Sequence, residues 1–527
     1  MLDFIYKTRF FLLSILSALA LSIGFLQMSG LAMMLGFVPL FYISHSIDKG
    51  RRGFWRFFFY VAVALGLWSG LTTWWIWYAA PIGAILSVII TVCMMGSAFM
   101  VFHYVSKRAP LSLSYTIFVS LWISLEYLYT VGEISFPWIM LGNGLANDIY
   151  FIQWYEFTGV FGGSLWVLVA NILFWELFKC AKKSKAVITF AWIFVPIFLS
   201  EILFFTHDIE GESVNIQVVQ PNVDPYNAKF TTSVNEQAEN LVALAYEAPD
   251  SVDFIITPET SISDRVWENY LPNNPMIKFM DAKIFEKYPS TQLVLGATTY
   301  RRYRDGVEPS ATARVISEGD YYDVYNSAIV MDSTGVEDVH HKSKLVVGVE
   351  KMPYYNLTKH LKFLIVDLGG TTGQMGVDSE PKVFSSNKGV KFSTAICYES
   401  VYGAYFSEFV KRGAELVFII TNDGWWHDTP GYRQHFSFAR IRAIETRRAI
   451  ARSANTGISG FINQRGEVLE QSKWDEKVSL NGELVRSSKL SFYTLYGDVI
   501  ARVCVYTFLL CAMYFVAYSF RKKSHLN

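Results

Sequence analysis

The chain alternates between two textures. Up to residue 205 it consists of long apolar runs joined by short polar connections, and one more long apolar run returns after residue 490. A helix crossing the hydrocarbon core of a bilayer needs about 20 predominantly apolar residues. Seven runs of that kind centre on Phe10–Leu26, Gly30–Ser44, Phe57–Trp77, Pro81–Phe102, Leu113–Tyr129, Val160–Leu177 and Val187–Phe205, and an eighth on Val499–Phe520. The pattern predicts a membrane α-helical bundle of about eight transmembrane helices. Residues 1–205 carry helices one to seven, and residues 491–527 carry helix eight and a tail. Ala18-Leu19-Ala20 has the form of a signal-peptidase site, but the run continues through Leu26, which favours a retained span.

Residues 206–490 read differently. Short β-branched runs appear at Val214–Gln220, Phe254–Thr257, Gln292–Ala297, Ser327–Met331, Val390–Cys397, Glu415–Thr421 and Ile458–Asn463. Helical patterns lie at Ser233–Ala248 and Tyr432–Ile450. Strands alternating with helices predict α/β layering. Turn-like Asp332-Ser333-Thr334-Gly335 and Asn463-Gln464-Arg465-Gly466 predict hairpins, hence a mixed sheet.

Charge adds an orientation. Basic clusters follow the even-numbered runs: Lys49, Arg51, Arg52 and Arg56; Lys107 and Arg108; Lys179, Lys182, Lys183 and Lys185; Arg521, Lys522 and Lys523. Lys7 and Arg9 precede the first run. If all eight runs span, every cluster falls on one side. Positive residues favour the cytoplasmic side, so both termini are predicted there and residues 206–490 outside. Lys and Arg total 46 against 46 Asp and Glu, a net charge of zero that gives a nucleic-acid partner no electrostatic support. With 41 Phe, 30 Tyr and 15 Trp, the chain has the aromatic surplus of proteins with rings at lipid–water boundaries; Trp74, Trp75 and Trp77 are candidates for such a belt.

Of five cysteines, only Cys397 lies in the polar stretch, so that domain has no disulfide framework, and no cysteine pair has zinc-ligand spacing. Cys397 ends an apolar strand, where layered α/β folds open their ligand crevices. Alone, it reads as a buried core cysteine. Phe254-Ile255-Ile256-Thr257-Pro258-Glu259 ends a second strand in a carboxylate, and His341-Lys342-Ser343-Lys344 places lysines between apolar neighbours. Together these three make a chemical set. A thiol with a pKa of about 8.5 is mostly protonated at neutral pH and needs a base. Glu259 supplies one, and a lysine ammonium can hold the oxyanion formed when sulfur attacks a carbonyl.

The order Glu, Lys, Cys resembles the nitrilase superfamily of carbon–nitrogen hydrolases, and the eight-span frame around it resembles the apolipoprotein N-acyltransferase family. The similar stretches run through nearly the whole chain. They are Phe136-Pro137-Trp138 with Leu141-Gly142, Phe157-Thr158-Gly159-Val160, Val219-Gln220-Pro221-Asn222, Thr257-Pro258-Glu259-Thr260, His341-Lys342, Ile396-Cys397-Tyr398-Glu399, Thr421-Asn422-Asp423-Gly424-Trp425, Gln434-His435 and Arg452-Ser453-Ala454-Asn455.

The resemblance implies a nitrilase-like α-β-β-α sandwich for the outer domain. It implies Cys397 as nucleophile, Glu259 as general base and Lys342 as oxyanion stabiliser. Glu350, Tyr398, Glu399 and Trp425 take supporting or substrate-binding parts. Val347-Gly348-Val349-Glu350 departs from the family's Pro-Phe-Gly-Glu, and Phe230 stands where the family often has Trp. The implied reaction transfers an acyl chain from phospholipid to the N-terminal diacylglyceryl-cysteine amine of a lipoprotein, through an acyl-thioester on Cys397. No cofactor or metal is implied, and the implied setting is a monomer in a bacterial inner membrane with the catalytic domain on the periplasmic side. The aromatic stretch Met352–Leu364, with Tyr354, Tyr355, Leu361 and Phe363, is a candidate lipid-dipping lid. The triad alone also fits a membrane-anchored amidohydrolase. A transporter would place ionisable residues along its spans, whereas here Glu126 and Glu176 lie near run ends.

Overall fold

A computed structural model describes residues 2–48, 50–226, 233–304, 306–354 and 374–524. They form two compact units: Met1–Trp77, Pro81–Thr206 and Tyr496–Asn527 in one, Tyr78–Ala80 and His207–Leu495 in the other.

The first unit is helical. Among the described residues seven helices are long and apolar enough to cross a membrane, spanning Thr8–Leu26, Arg51–Thr73, Pro81–Ser106, Leu111–Val131, Tyr155–Lys179, Lys183–Thr206 and Val499–Lys522. The second apolar run is not one continuous helix. It divides into a 3-10 turn, Gly30–Leu35, and a short α-helix, Val38–Ser46, that opens with a proline. At about 2.0 and 1.5 Å of rise per residue, the two pieces together still reach about 25 Å. A broken helix in an apolar setting must have its freed backbone groups bonded inside the protein. Buried Asn171 does this on both sides of the break: its Oδ1 accepts from Phe37 N at 2.6 Å and its Nδ2 donates to Met33 O at 2.8 Å. An aromatic core of Phe37, Phe41, Phe99, Phe118 and Trp122 packs around it, with ring centroids 4.8 Å apart for Phe37–Trp122 and for Phe99–Phe118.

The two acidic residues near run ends serve packing. Glu126 accepts from Trp122 Nε1 and Leu141 N, and Glu176 pairs with Lys179 and Lys185. Trp74 and Trp77 are exposed as an interfacial belt requires, but Trp75 is buried against Trp138.

Among its described residues the second unit holds two sheets. The first has eight strands: β1 Ser213–Gln220, β2 Phe254–Ile256, β3 Ile262–Trp267, β4 Gln292–Arg302, β5 Arg314–Ser317, β6 Asp320–Asp332, β7 Gly335–His341 and, late in the chain, β14 Val478–Val485. Its main order is β14-β1-β2-β4-β6-β5, with β3 beside β4 and β7 beside β6. The second has six: β8 Phe384–Ser385, β9 Lys391–Ile396, β10 Leu416–Thr421, β11 Ile450–Ala454, β12 Gly460–Ile462 and β13 Val468–Gln471. Both are mixed: β1, β2 and β4 run parallel, as do β9, β10 and β11, and the antiparallel pairings come from hairpins and from the late strand β14 beside β1.

Central strands covered on both faces should be apolar throughout. Every residue of β2 and β10 is buried. The inner faces meet where the Phe254 ring sits 5.0 Å from Phe392 and 5.1 Å from Phe418. On the outer face of the first sheet, helices Val234–Ala245 and Pro275–Lys287 bury Leu241, Met280 and Ile284 against Ile255, Leu293 and Ile329. On the second, helices Gly403–Lys411 and Pro430–Thr446 bury Phe406, Phe409 and Phe436 against Val417, Ile419 and Ile450. The result is the α-β-β-α sandwich.

Candidate active site

The parallel strands carry the chemistry at their C-terminal ends. Glu259 follows β2 in a turn, Cys397 follows β9 and Asn422 follows β10. Lys342 follows β7, whose backbone N–H bonds Asn326 O of β6 at 2.8 Å. Gly296 on β4 allows the approach of the Glu259 turn, because a Cβ there would meet Pro258 O at 2.0 Å.

Glu259, Lys342 and Cys397 are all buried, with 7%, 1% and 9% of their surfaces exposed. Lys342 Nζ lies 3.0 Å from Glu259 Oε1 and 2.9 Å from Glu350 Oε1. Both carboxylates are held independently. Glu259 Oε2 accepts from Asn422 N at 3.0 Å, Glu350 Oε2 accepts from Val346 N at 2.8 Å, and Asn326 Nδ2 donates to Oε1 of each. Burial alone would push the Lys342 ammonium down, but Glu259 and Glu350 raise it well above the usual lysine range. Both carboxylates therefore favour its charged form. Burial pushes the Cys397 thiol far up and Glu259 adds to the rise, with only Lys342 and Thr421 opposing. Burial thus favours the protonated form of the thiol.

Cys397 has a φ of 51°, a left-handed conformation uncommon for a residue with a side chain. It opens a 3-10 turn, Cys397–Val401, and its carbonyl has side-chain partners. Ser400 Oγ donates to it at 2.7 Å, and His435 Nε2 lies 3.2 Å away. Behind this turn sits a buried polar group. Asp423 accepts from Arg452 at 2.5 Å and lies 2.9 Å from His435 Nδ1, and Thr421 Oγ1 donates to it at 2.9 Å. Burial and Arg452 lower the His435 pKa, with Asp423 opposing them.

Glu399 joins the two halves of the site. Its carboxylate accepts from Ile396 N at 2.8 Å, just before the cysteine, and from Ser343 N at 2.6 Å, just after the lysine. Tyr398 is buried and packs its ring against Tyr402. Trp425 stands in the turn after Asn422, half-buried, its ring 5.3 Å from Tyr226, whose hydroxyl donates to the Trp425 carbonyl at 2.6 Å. Phe230 lies outside the described residues, as do Tyr355, Leu361 and Phe363 of the candidate lid. Of the described residues in that stretch, Met352 is buried and Tyr354 is exposed.

Sequence reasoning missed Asn326, His340 and Asp378. Asn326 sits inside a long strand with no motif around it. His340 and Asp378 are bound up with Glu399 and His341 in one buried cluster: His340 Nε2 lies 3.2 Å from Glu399, and His341 Nδ1 lies 2.7 Å from Asp378.

A membrane helical bundle carrying a two-sheet domain with a buried thiol, carboxylate and ammonium at its strand ends defines the class. The family model for carbon-nitrogen hydrolase matches residues 216–488, and the chain belongs to that family. Residues 17–173 match the apolipoprotein N-acyltransferase N-terminal domain. The full-length relatives agree. An apolipoprotein N-acyltransferase of Chlorobaculum tepidum is 27% identical over 511 residues, covering 94% of each chain. One of Thermotoga maritima is 27% identical over 508 residues, covering 92% of this chain and 90% of that one. One of Geobacter metallireducens is 26% identical over 418 residues, covering 77% and 74%.

Proposed function

We propose that this chain is an apolipoprotein N-acyltransferase of the bacterial inner membrane. It takes an acyl chain from phospholipid and passes it to the N-terminal amine of a diacylglyceryl-cysteine lipoprotein. The observation that carries the reading is a buried thiol at a strand end, within electrostatic reach of a carboxylate–ammonium pair, in a chain whose helical part matches the acyltransferase-specific domain. A hydrolase of soluble amides has no use for that helical part.

In the first half-reaction Glu259 takes the Cys397 proton as Sγ attacks the acyl ester carbonyl. Lys342 Nζ and the backbone N–H after Cys397 hold the oxyanion; such a donor contributes about 3 kcal/mol. As Glu259 becomes neutral its hold on Lys342 weakens, which frees the ammonium for the oxyanion while Glu350 keeps it in place. The carbon–oxygen bond then breaks, and the departing lysophospholipid oxygen takes the proton from Glu259. An acyl-thioester remains on Cys397. In the second half-reaction the α-amine attacks the thioester and Glu259 receives its proton. The carbon–sulfur bond breaks, and the thiolate recovers that proton. An α-amine with a pKa of about 8 is partly neutral at working pH. Splitting an ester-to-amide exchange into two steps is the usual advantage of a covalent intermediate.

Both substrates hold acyl chains whose transfer to water costs about 0.8 kcal/mol per CH₂, so the reaction belongs at a leaflet surface. In this reading both termini are cytoplasmic, the second unit lies on the outer side, and the protein acts as a monomer. The test is to incubate the purified protein with phospholipid and a synthetic diacylglyceryl-cysteine peptide and follow peptide mass. Gain of one amide-linked acyl group supports the proposal. Release of free fatty acid with unmodified peptide overturns it in favour of hydrolysis.

A further inference from the structure

The helical unit carries a feature that N-acylation does not use. Helix Arg51–Thr73 begins Arg51-Arg52-Gly53-Phe54-Trp55-Arg56, and its first turns form one wall of a cleft of about 1100 Å³. The opposite wall is the start of the first helix, at Thr8 and Phe11. Arg51, Arg52 and Arg56 are exposed, and among the described residues no carboxylate pairs with them. Cations at a helix N-terminus face the positive end of the helix dipole, so it is the side of the membrane and not helix stability that favours three there. Below them Trp55, Phe59 and Phe11 are 58%, 56% and 42% exposed and line the cleft with rings. A Cβ on Gly53 would meet Asp48 O at 2.1 Å, and Phe54 N bonds Gly50 O at 3.0 Å, so Asp48 and Gly50 lie close against the helix start.

Guanidinium groups bind phosphate in paired hydrogen bonds, and aromatic side chains favour the depth where headgroups meet acyl chains. A bare phosphate would leave the aromatic wall without a partner. A zwitterionic lipid would bring its ammonium against three uncompensated positive charges. We propose that this cleft is a binding site for one anionic glycerophospholipid, its phosphodiester held by Arg51, Arg52 and Arg56 and its acyl chains lying against Phe11, Trp55 and Phe59. The site is built on the opposite end of this helix from Trp74, about 33 Å along its axis. It is separate from the lipid consumed at Cys397 and does not depend on the proposed activity.

The test uses full-length, delipidated protein in detergent, titrated with dioleoyl phosphatidylglycerol or dioleoyl phosphatidylcholine and read by native mass spectrometry. The expected result is a bound phosphatidylglycerol with at least about tenfold preference over phosphatidylcholine. Combined Arg51→Gln, Arg52→Gln and Arg56→Gln should abolish that preference. Combined Lys182→Gln, Lys183→Gln and Lys522→Gln, which removes the same charge elsewhere, should leave it intact. In folded wild-type protein, phosphatidylglycerol with brominated chains should quench tryptophan fluorescence more than in Trp55→Phe. Equal binding of the two lipids, equal loss in both triple variants, unchanged quenching in Trp55→Phe, or full displacement by glycerol 3-phosphate alone would each overturn the proposal.

Discussion

The His340 ring lies 3.2 Å from the Glu399 carboxylate, and neither side chain has any exposed surface. Glu399 in turn binds Ser343 N and Ile396 N, so this pair ties the lysine loop to the cysteine strand. Asp378 flanks the imidazole and the Phe409 ring packs 5.7 Å away. Burial alone would lower the His340 pKa, but Glu399 and Asp378 raise it to about 9. Despite their burial, both carboxylates are held below their usual range by His340, with His341 adding to the effect at Asp378.

A pH dependence follows. The unfolded pKa of His340 is 6.5, so its stabilisation is complete below that value and is lost as pH rises through about 9. The two carboxylates contribute above the ordinary carboxylate range and lose their contribution on acidification. Thioester formation from phospholipid alone should fall on the alkaline side with a midpoint near 9. His340→Gln, which keeps a donor for Glu399 but cannot titrate, should flatten that limb. An unchanged limb in stopped-flow or quench-flow rates from pH 7 to 10 would contradict the assignment.

Glu259 and Glu350 both bind Lys342, but only Glu259 is placed beside the thiol in the proposed chemistry. Glu259→Gln should therefore reduce thioester formation by about 10²-fold or more, the loss expected for a general base. Glu350→Gln keeps the base and loosens only the ammonium, so the loss should be nearer tenfold. Lys342→Met should lose about 10²-fold in rate and also stability, since it leaves buried Glu259 and half-buried Glu350 without their cation. Single-turnover rates with thermal melts separate these effects.

Gly296 is a backbone-only determinant of where Glu259 sits. Gly296→Ala would drive a methyl group into Pro258 O, which lies 2.0 Å from the Cβ position. Overpacking of this kind costs about 1–3 kcal/mol. kcat should fall with little change in KM, because the base is displaced while the substrate surface is not. Gly70→Ala, with open space around it, is the control and should leave both unchanged.

The buried Asp423–Arg452 pair supports the turn that carries the cysteine. Removing one partner of a buried ion pair costs about 3–5 kcal/mol. Arg452→Met should lower the melting temperature strongly and release His435 from its depressed pKa, since Arg452 is, after burial, the main influence lowering it. NMR titration of the His435 ring would show the upward shift.

Much of this was legible in the sequence for definite reasons. An apolar run covered on both faces reads as a strand without ambiguity, and Glu259 and Cys397 end two such runs, so their placement at strand ends followed. The hairpins at Asp332–Gly335 and Asn463–Gly466 were visible from turn chemistry. The break in the second span was not, because hydropathy averages over Gly36 and Pro39 and the group that satisfies the break, Asn171, is more than 100 residues away. Asn326 was hidden for the same reason: it is defined by what it meets across the sheet. His340 was hidden as well, because the carboxylates that surround it come from two distant segments.

The most direct test is the intact mass of detergent-purified protein after incubation with phospholipid alone, followed by the mass of the peptide containing Cys397. The account predicts one added acyl group on Cys397, labile to hydroxylamine, absent in Cys397→Ser and strongly reduced in Glu259→Gln. It should be discharged onto the amine of a diacylglyceryl-cysteine peptide. A folded protein that acquires no acyl group from any of several phospholipids would contradict the account.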